Sequence, residues 1–300
     1  MTLLVASANA EIGMALGRDL LLAGRPALDV VEAVARDVEA NVRDHTVGHG
    51  GYPNILGDVE LDATVIDGMT RAAGSVAGVK RHRHPVTIAR AVLERLPHVL
   101  LVGEGADRFG DEIGEPAESL LTDEAAATWR RGVEAYRVDP DGPLAESVRT
   151  LVEDPEHVTG TVNVVAVDAE GRMASAVSTS GWSWKYPGRV GDTGLVGAGS
   201  YCDARYGAAT CTGWGELAIR CGAARWAVQQ MASGTAVADA LRTVLRDLPD
   251  AGTTGEVPFH MIGVDASGTV AAVSTTATSR YAYWDPGLGE PEVRDREQVR

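Results

Sequence analysis

Along the chain, apolar residues follow two rhythms, and each predicts a different kind of element. From Ala27 to Val42 they recur every three or four positions, at Leu28, Val31, Ala35, Val38 and Val42. That spacing predicts an amphipathic helix with Asp29, Glu32 and Glu39 facing outward. Pro85 suits the first turn of a second helix running through Ala89 and Leu93. Residues 2–8 alternate weakly and read as an opening strand, and Val59–Ile66 as another, closed by a turn at Asp67–Gly68. The segment 44–57 is rich in Gly, His and Pro and reads as a loop, in which Gly50 and Gly51 permit positive φ or close backbone approach.

The second half repeats one pattern. VNVVAVDAEGRMASAVSTS at 162–180 and PFHMIGVDASGTVAAVSTT at 258–276 each hold an apolar run, a D-A-x-G turn and a second apolar run ending in Ser-Thr. Each reads as a β-hairpin. A long helical stretch between them, Gly215–Leu248, suggests a sheet covered by helices. Before the first hairpin, residues 111–158 are polar, with Trp129, Val133 and Tyr136 lending some helical periodicity. Such a stretch reads as a loop-plus-helix connector of the cleaved or mobile kind.

Composition narrows the partners. The chain's 300 residues can bury a sizeable core, in one large domain or two smaller ones. A net charge of −15 argues against nonspecific nucleic-acid binding and against an anionic membrane surface. No apolar run is long enough to span a bilayer. The first residues lack a basic n-region, and a signal peptide would consume the opening strand, so a cytoplasmic location is expected. Cys202, Cys211 and Cys221 show no C-x-x-C spacing and are expected as small core residues, one of which can line a pocket. The histidines His45, His49, His82, His84 and His98 follow no metal-ligand spacing.

Candidate chemistry gathers after residue 160. Thr161 follows Gly160 and opens the first hairpin. On its own it is an ordinary β-branched residue starting a strand. Were the chain cut before it, its hydroxyl would gain a base in its own α-amine, whose ordinary pKa of about 8 needs less adjustment than that of a lysine. Gly160 admits the strained backbone that attack on its carbonyl requires. Thr179 ends the returning strand, so the hairpin brings it back near Thr161. Arg189 and Asp192, in GRVGD, are either a surface ion pair in a glycine-rich turn or a clamp for the α-carboxylate and α-ammonium of an amino acid. Thr212 and Gly213 offer a hydroxyl and a backbone N–H for an oxyanion, and the Gly213 carbonyl an acceptor for a substrate ammonium. Lys185, between Trp184 and Tyr186, reads as an exposed turn cation, while His49 and Asn54 are candidates to orient substrate.

These motifs together resemble the N-terminal-nucleophile asparaginases, the glycosylasparaginases and isoaspartyl peptidases. VGHGGYPNILGDVELDATVIDG at 47–68, HPVTIARAVLE at 84–94 and HVLLVGEGADRFG at 98–110 carry the resemblance through the first half. It implies an α+β fold, an α-β-β-α sandwich of four layers forming one domain over 1–300. It also implies self-cleavage between Gly160 and Thr161 into segments 1–160, ending in a linker at about 111–160, and 161–300, with homodimers of the cut α/β protomers. It assigns Thr161 as nucleophile, Thr179 as its hydrogen-bond partner, Thr212 and Gly213 to the oxyanion, and Arg189, Asp192 and Gly213 to the substrate. It calls for no cofactor and no metal.

The implied substrate is a small amino-acid amide. GHGGYPN is more similar to the glycosylasparaginase branch, which favours N4-(β-N-acetylglucosaminyl)-L-asparagine. The alternatives are an isoaspartyl peptidase/L-asparaginase and an inactive amino-acid-binding relative. Two positions depart from the family pattern: Asn163 stands where glycine is usual, and ASANAEIG at 6–13 lacks a tryptophan that lines the glycosylasparaginase site.

Overall fold

The computed structural model describes residues 1–136, 138–139, 142–152, 160–252 and 257–299. In chain order the strands are β1 Leu3–Ser7, β2 Leu61–Asp67, β3 Ala73–Val79, β4 Leu100–Val102, β5 Val162–Val167, β6 Met173–Thr179, β7 Ser200–Asp203, β8 Gly207–Gly213, β9 Phe259–Asp265, β10 Val270–Ser274, β11 Arg280–Trp284, β12 Glu292–Asp295 and β13 Glu297–Gln298. The helices are α1 Glu11–Leu22, α2 Ala27–Glu39, α3 Pro85–Arg95, α4 Glu104–Ile113, α5 Asp123–Ala135, α6 Leu144–Val152, α7 Gly215–Cys221, α8 Ala223–Ala232 and α9 Val237–Arg246.

The strands form two sheets, ordered β12-β11-β1-β5-β6-β2-β3-β4 and β13-β10-β9-β8-β7. Pairing is antiparallel except for β3 with β4 and β10 with β13. The period of two along β5 shows how the layers arise. Val162, Val164 and Ala166 join a core shared with α1, α2 and α3, whereas Val165 and Val167 enter a second core shared with Ala208, Ile262 and Val264 of the other sheet. A third core lies between that other sheet and α7, α8 and α9. Helices, two facing sheets and helices again make the expected four-layer sandwich. Because β5 and β6 are buried on both faces, they read as nearly continuous apolar runs.

The layer between the sheets is graded. At one end it is apolar, with Leu3, Val5, Ile66 and Met173; towards the other end Asn163, Thr179, Thr210 and Thr212 are buried. The candidate site lies at that polar end.

The predicted elements occur with adjusted bounds. Pro85 does begin α3. The stretch 215–248 breaks into α7, α8 and α9, and the polar connector contains α5 and α6. Residues 153–159, just before the expected junction, lie outside the described residues. Helix α2 stops at Glu39, leaving Val42 exposed. The outward placement of Glu39 is wrong, because the carboxylate is fully buried. It accepts hydrogen bonds from Ser178 Oγ at 2.7 Å and Val86 N at 3.0 Å, and lies 3.1 Å from His84 Nδ1. Partners supplied by β6 and α3 compensate a burial that helical spacing alone forbids. Among the described residues, no helix is long and apolar enough to cross a membrane.

Candidate active site

The first hairpin sets the centre of the site. Thr161 precedes β5 and Thr179 ends β6, with Val162 opposite Ser178. Thr179 Oγ1 donates to the Gly160 carbonyl at 2.6 Å and accepts from Gly181 N at 2.9 Å. Gly160 packs against Thr46 of the loop before β2. A Cβ at residue 160 would stand 2.6 Å from Thr46 Oγ1 and 2.7 Å from Thr46 Cβ, so only glycine fits without displacement. Asp44 fixes Thr46, accepting from both its N and its Oγ1, at 2.9 and 2.6 Å.

The second sheet closes the other side. Thr212 and Gly213 end β8, opposite His260 and Phe259 of β9. Gly160, Thr161, Thr212 and Gly213 line one cleft of about 500 Å³. Ser7, Asn9 and Asp44 form a wall of it through a relay in which Ser7 Oγ donates to Asn9 Oδ1 at 2.6 Å and Asn9 Nδ2 to Asp44 Oδ2 at 2.8 Å. Ser7 Oγ accepts from Asn163 N at 2.9 Å, which ties the wall to β5. This is the segment without a tryptophan, and its face on the cleft is short and polar.

Asn163 keeps ordinary strand geometry, paired with Val177 and outside the positive-φ residues. Its side chain enters the polar end of the inter-sheet layer. Neither Oδ1 nor Nδ2 has a hydrogen-bond partner among the described residues.

Arg189 and Asp192 occupy an adjoining region and do not line that cleft. The Nε–Nη2 edge of Arg189 is engaged by Glu216 of α7, at 2.9 and 2.8 Å, and the guanidinium carbon lies 4.6 Å over the Trp182 ring. Nη1 lies against Gly181 and Gly191. Asp192 is buried beside Gly215 and Gly199. Desolvation pushes its carboxyl up to about 7, with Arg189 opposing that rise.

The loop carrying these two residues is held from β2 and the residue before it. Glu60 accepts from Gly188 N at 3.1 Å and Asp62 from Gly191 N at 3.2 Å. Lys185 is the second residue misplaced by sequence reasoning. It is buried, not an exposed turn cation, and its Nζ donates to Glu60 O at 2.8 Å and Ser180 O at 3.0 Å. Burial lowers its pKa, while Asp62 and Glu60 oppose that shift. Burial likewise raises that of Asp62, against Lys185 and the N–H donors of Gly78 and Gly191.

His49 and Asn54 do not line the cleft. Asn54 Oδ1 instead caps its own loop, accepting from Leu56 N at 2.9 Å and Asp58 N at 3.1 Å. The cysteines are free: Cys202 belongs to the inter-sheet core, Cys211 to the helix-facing core, and Cys221 is half-buried. Among the described residues, no group of three or more His, Cys, Asp or Glu is placed to hold a metal ion.

Sequence reasoning passed over Thr46, Glu216, the Ser7–Asn9–Asp44 relay, and the cleft residues His260, Arg280 and Arg296. The small polar S-x-N at 7–9, ending a strand, was a usable signal. The other residues meet only through tertiary packing.

Two stacked sheets between helices, with the Gly-Thr junction at their polar end, define a hydrolase of the N-terminal-nucleophile class. The chain belongs to the asparaginase family, whose model matches residues 7–288, and is an amidohydrolase of that family. It is 41% identical over 270 residues to an isoaspartyl peptidase of Salmonella typhimurium, covering 89% of this chain and 83% of the relative. A plant-type L-asparaginase of Pyrococcus horikoshii is 36% identical, covering 89% of this chain and 86% of its own length. An N(4)-(β-N-acetylglucosaminyl)-L-asparaginase of Elizabethkingia miricola is 38% identical over 215 residues, covering 72% of this chain and 59% of its own.

Proposed function

We propose that this chain is an isoaspartyl peptidase/L-asparaginase that cuts its own Gly160–Thr161 bond and then uses Thr161 as its nucleophile. The observation that carries this reading is the 2.6 Å hydrogen bond from Thr179 Oγ1 to the Gly160 carbonyl, beside Thr161 in the cleft. That bond polarises the carbonyl to be attacked. Attack by the Thr161 hydroxyl forms an ester as the Gly160–Thr161 C–N bond breaks, and the hydroxyl proton passes to the released amine. Water then hydrolyses the ester, giving segments 1–160 and 161–300.

In the cut form the Thr161 α-amine, with an ordinary pKa of about 8, takes the proton of its own hydroxyl. The hydroxyl attacks the side-chain amide carbonyl of an asparagine-type substrate. Thr212 Oγ1 and the Gly213 N–H receive the developing oxyanion, each such donor contributing about 3 kcal/mol. The leaving amine takes a proton and departs, and water releases aspartate from Thr161. Arg189 meets the α-carboxylate through Nη1, since Glu216 engages its other edge. Asp192 meets the α-ammonium, and its carboxyl near 7 gives binding an acidic limb that a substrate with a blocked amine lacks.

Two observations favour this branch over the glycosylated substrate that the GHGGYPN loop suggested. Relatives named isoaspartyl peptidase or plant-type asparaginase are matched over 66–86% of their own length, against 59% for the glycosylated-asparagine enzyme. The Ser7–Asn9 wall also offers no aromatic face to a sugar. The test is intact mass of the denatured protein, followed by turnover of asparagine, a β-aspartyl dipeptide and N-acetylglucosaminyl-asparagine. Two fragments and preference for the first two substrates are expected. Thr161→Ala should stay whole and lose roughly a thousandfold or more in kcat. An uncut wild-type chain with full activity overturns the maturation and the mechanism; preference for the glycosylated substrate overturns the branch.

A further inference from the structure

Beyond Thr161, the cleft has a cationic wall that the proposed chemistry does not use. Arg280 opens β11 and Arg296 follows β12, and both line the cleft with Ser279 and His260. Arg296 is buried, with Nε donating to Arg280 O at 3.1 Å and Nη1 to Met261 O at 3.0 Å. Its own N donates to Ser279 O at 2.8 Å, so it braces the backbone that carries Arg280. Arg280 is exposed, and among the described residues its side chain makes no hydrogen bond or ion pair.

Neither cation is neutralised. Asp295 stands opposite Arg280 in the β11–β12 ladder, yet no carboxylate among the described residues lies within ion-pairing distance of either guanidinium. Asp44, on the facing wall, is engaged by Thr46 and Asn9. Burial and the charge of Arg296 lower the His260 pKa to about 4, which keeps its imidazole neutral at working pH. A buried guanidinium without a counter-ion, beside a free one, favours an incoming anion.

We infer that Arg280, braced by Arg296, is the leaving-group specificity residue, receiving the carboxylate of the amino acid released from a β-aspartyl dipeptide. The inference rests on the asparaginase reading, which places the scissile amide at Thr161. The proposed function gives the α-carboxylate of the aspartyl half to Arg189, which does not line this cleft, so the two substrate carboxylates meet different arginines. Asparagine, whose leaving group is ammonia, has nothing for Arg280 to hold.

The test uses the mature enzyme and three substrates: asparagine, β-aspartyl-glycine and β-aspartyl-glycinamide, which removes the leaving-group charge. Wild type should prefer the free dipeptide over its amide roughly tenfold, carried in KM. Arg280→Ala should lower the ratio of dipeptide to asparagine kcat/KM by a similar factor and erase the preference over the amide. Arg280→Lys should retain part of it. Equal use of dipeptide and amide by wild type, or equal losses on dipeptide and asparagine in Arg280→Ala, overturns the subsite while leaving the asparaginase reading intact. No turnover of any of the three overturns both.

Discussion

The two hairpins that echo one another in sequence share their turn geometry and register and differ in their surroundings. In each, the turn aspartate N donates to a carbonyl four residues on, Asp168 to Arg172 and Asp265 to Thr269, both at 3.0 Å. In each, a glycine three residues past the aspartate takes positive φ, Gly171 at 77° and Gly268 at 79°. The shared register makes Asn163, opposite Val177, the counterpart of His260, opposite Ser274, and makes Thr161 the counterpart of Pro258. Both hairpins therefore start at the same cleft, one from each sheet. Strands β5 and β6 lie inside an eight-stranded sheet, whereas β10 has only the two-residue β13 beyond it. Local sequence built the same hairpin twice; only the first carries the proposed nucleophile.

The contrast is open to experiment. The largest stability effect is expected at Lys185, which ties the end of the first hairpin to Glu60, just before β2, through Ser180 O and Glu60 O. Lys185→Met leaves Asp62 buried without its cation and should cost about 3–5 kcal/mol in urea unfolding. A loss below about 1 kcal/mol would show that the pair does not hold this region.

The turns themselves give a smaller, paired effect. Asp168 is buried and accepts from Ala27 N at 2.9 Å and Arg172 Nε at 2.8 Å, joining the turn to the start of α2. Asp265 serves only its own turn, accepting from Ser267 N and Thr269 N, both at 2.9 Å. Asp168→Ala should cost about 2–3 kcal/mol and Asp265→Ala about 1 kcal/mol. Equal losses would remove the distinction between the hairpins.

A further contrast separates Asn163 from His260 by pH. The folded pKa of His260 lies at about 4, below its ordinary 6.5, so on acidification the unfolded chain takes the proton first. Stability should fall between about pH 6.5 and 4, and His260→Asn should flatten that part of the curve. An unchanged slope would show that this histidine does not titrate as its burial requires.

Much of this was legible in the sequence, for stateable reasons. Periodicity and turn chemistry are local, so both hairpins, α2 and the Pro85 start of α3 could be read from residue order. So could Thr161 and Thr179, because a hairpin returns to where it began. Glu39 and Lys185 were misplaced by the same reasoning. Charge predicts exposure unless partners are supplied, and those partners come from β6, α3 and Glu60 before β2, remote in sequence. The arginine wall was invisible for a related cause. Arg280 and Arg296 reach the cleft only because β11 pairs with β1, at the opposite end of the chain.

If the chain is cut before Thr161 as proposed, that pairing has a consequence for the life of the protein. β1 belongs to the segment before Thr161 and lies between β5 and β11, both from the segment after it; β2 in turn pairs with β6. Once the bond before Thr161 is broken, the two pieces remain interleaved in one sheet and stay together without a covalent link. Their first assembly is unimolecular and happens before the cut. Any later assembly must be an encounter between two chains, slower when dilute and open to loss of either piece. The proposed maturation would thus turn a single chain into one whose native state depends on concentration and on never having come apart.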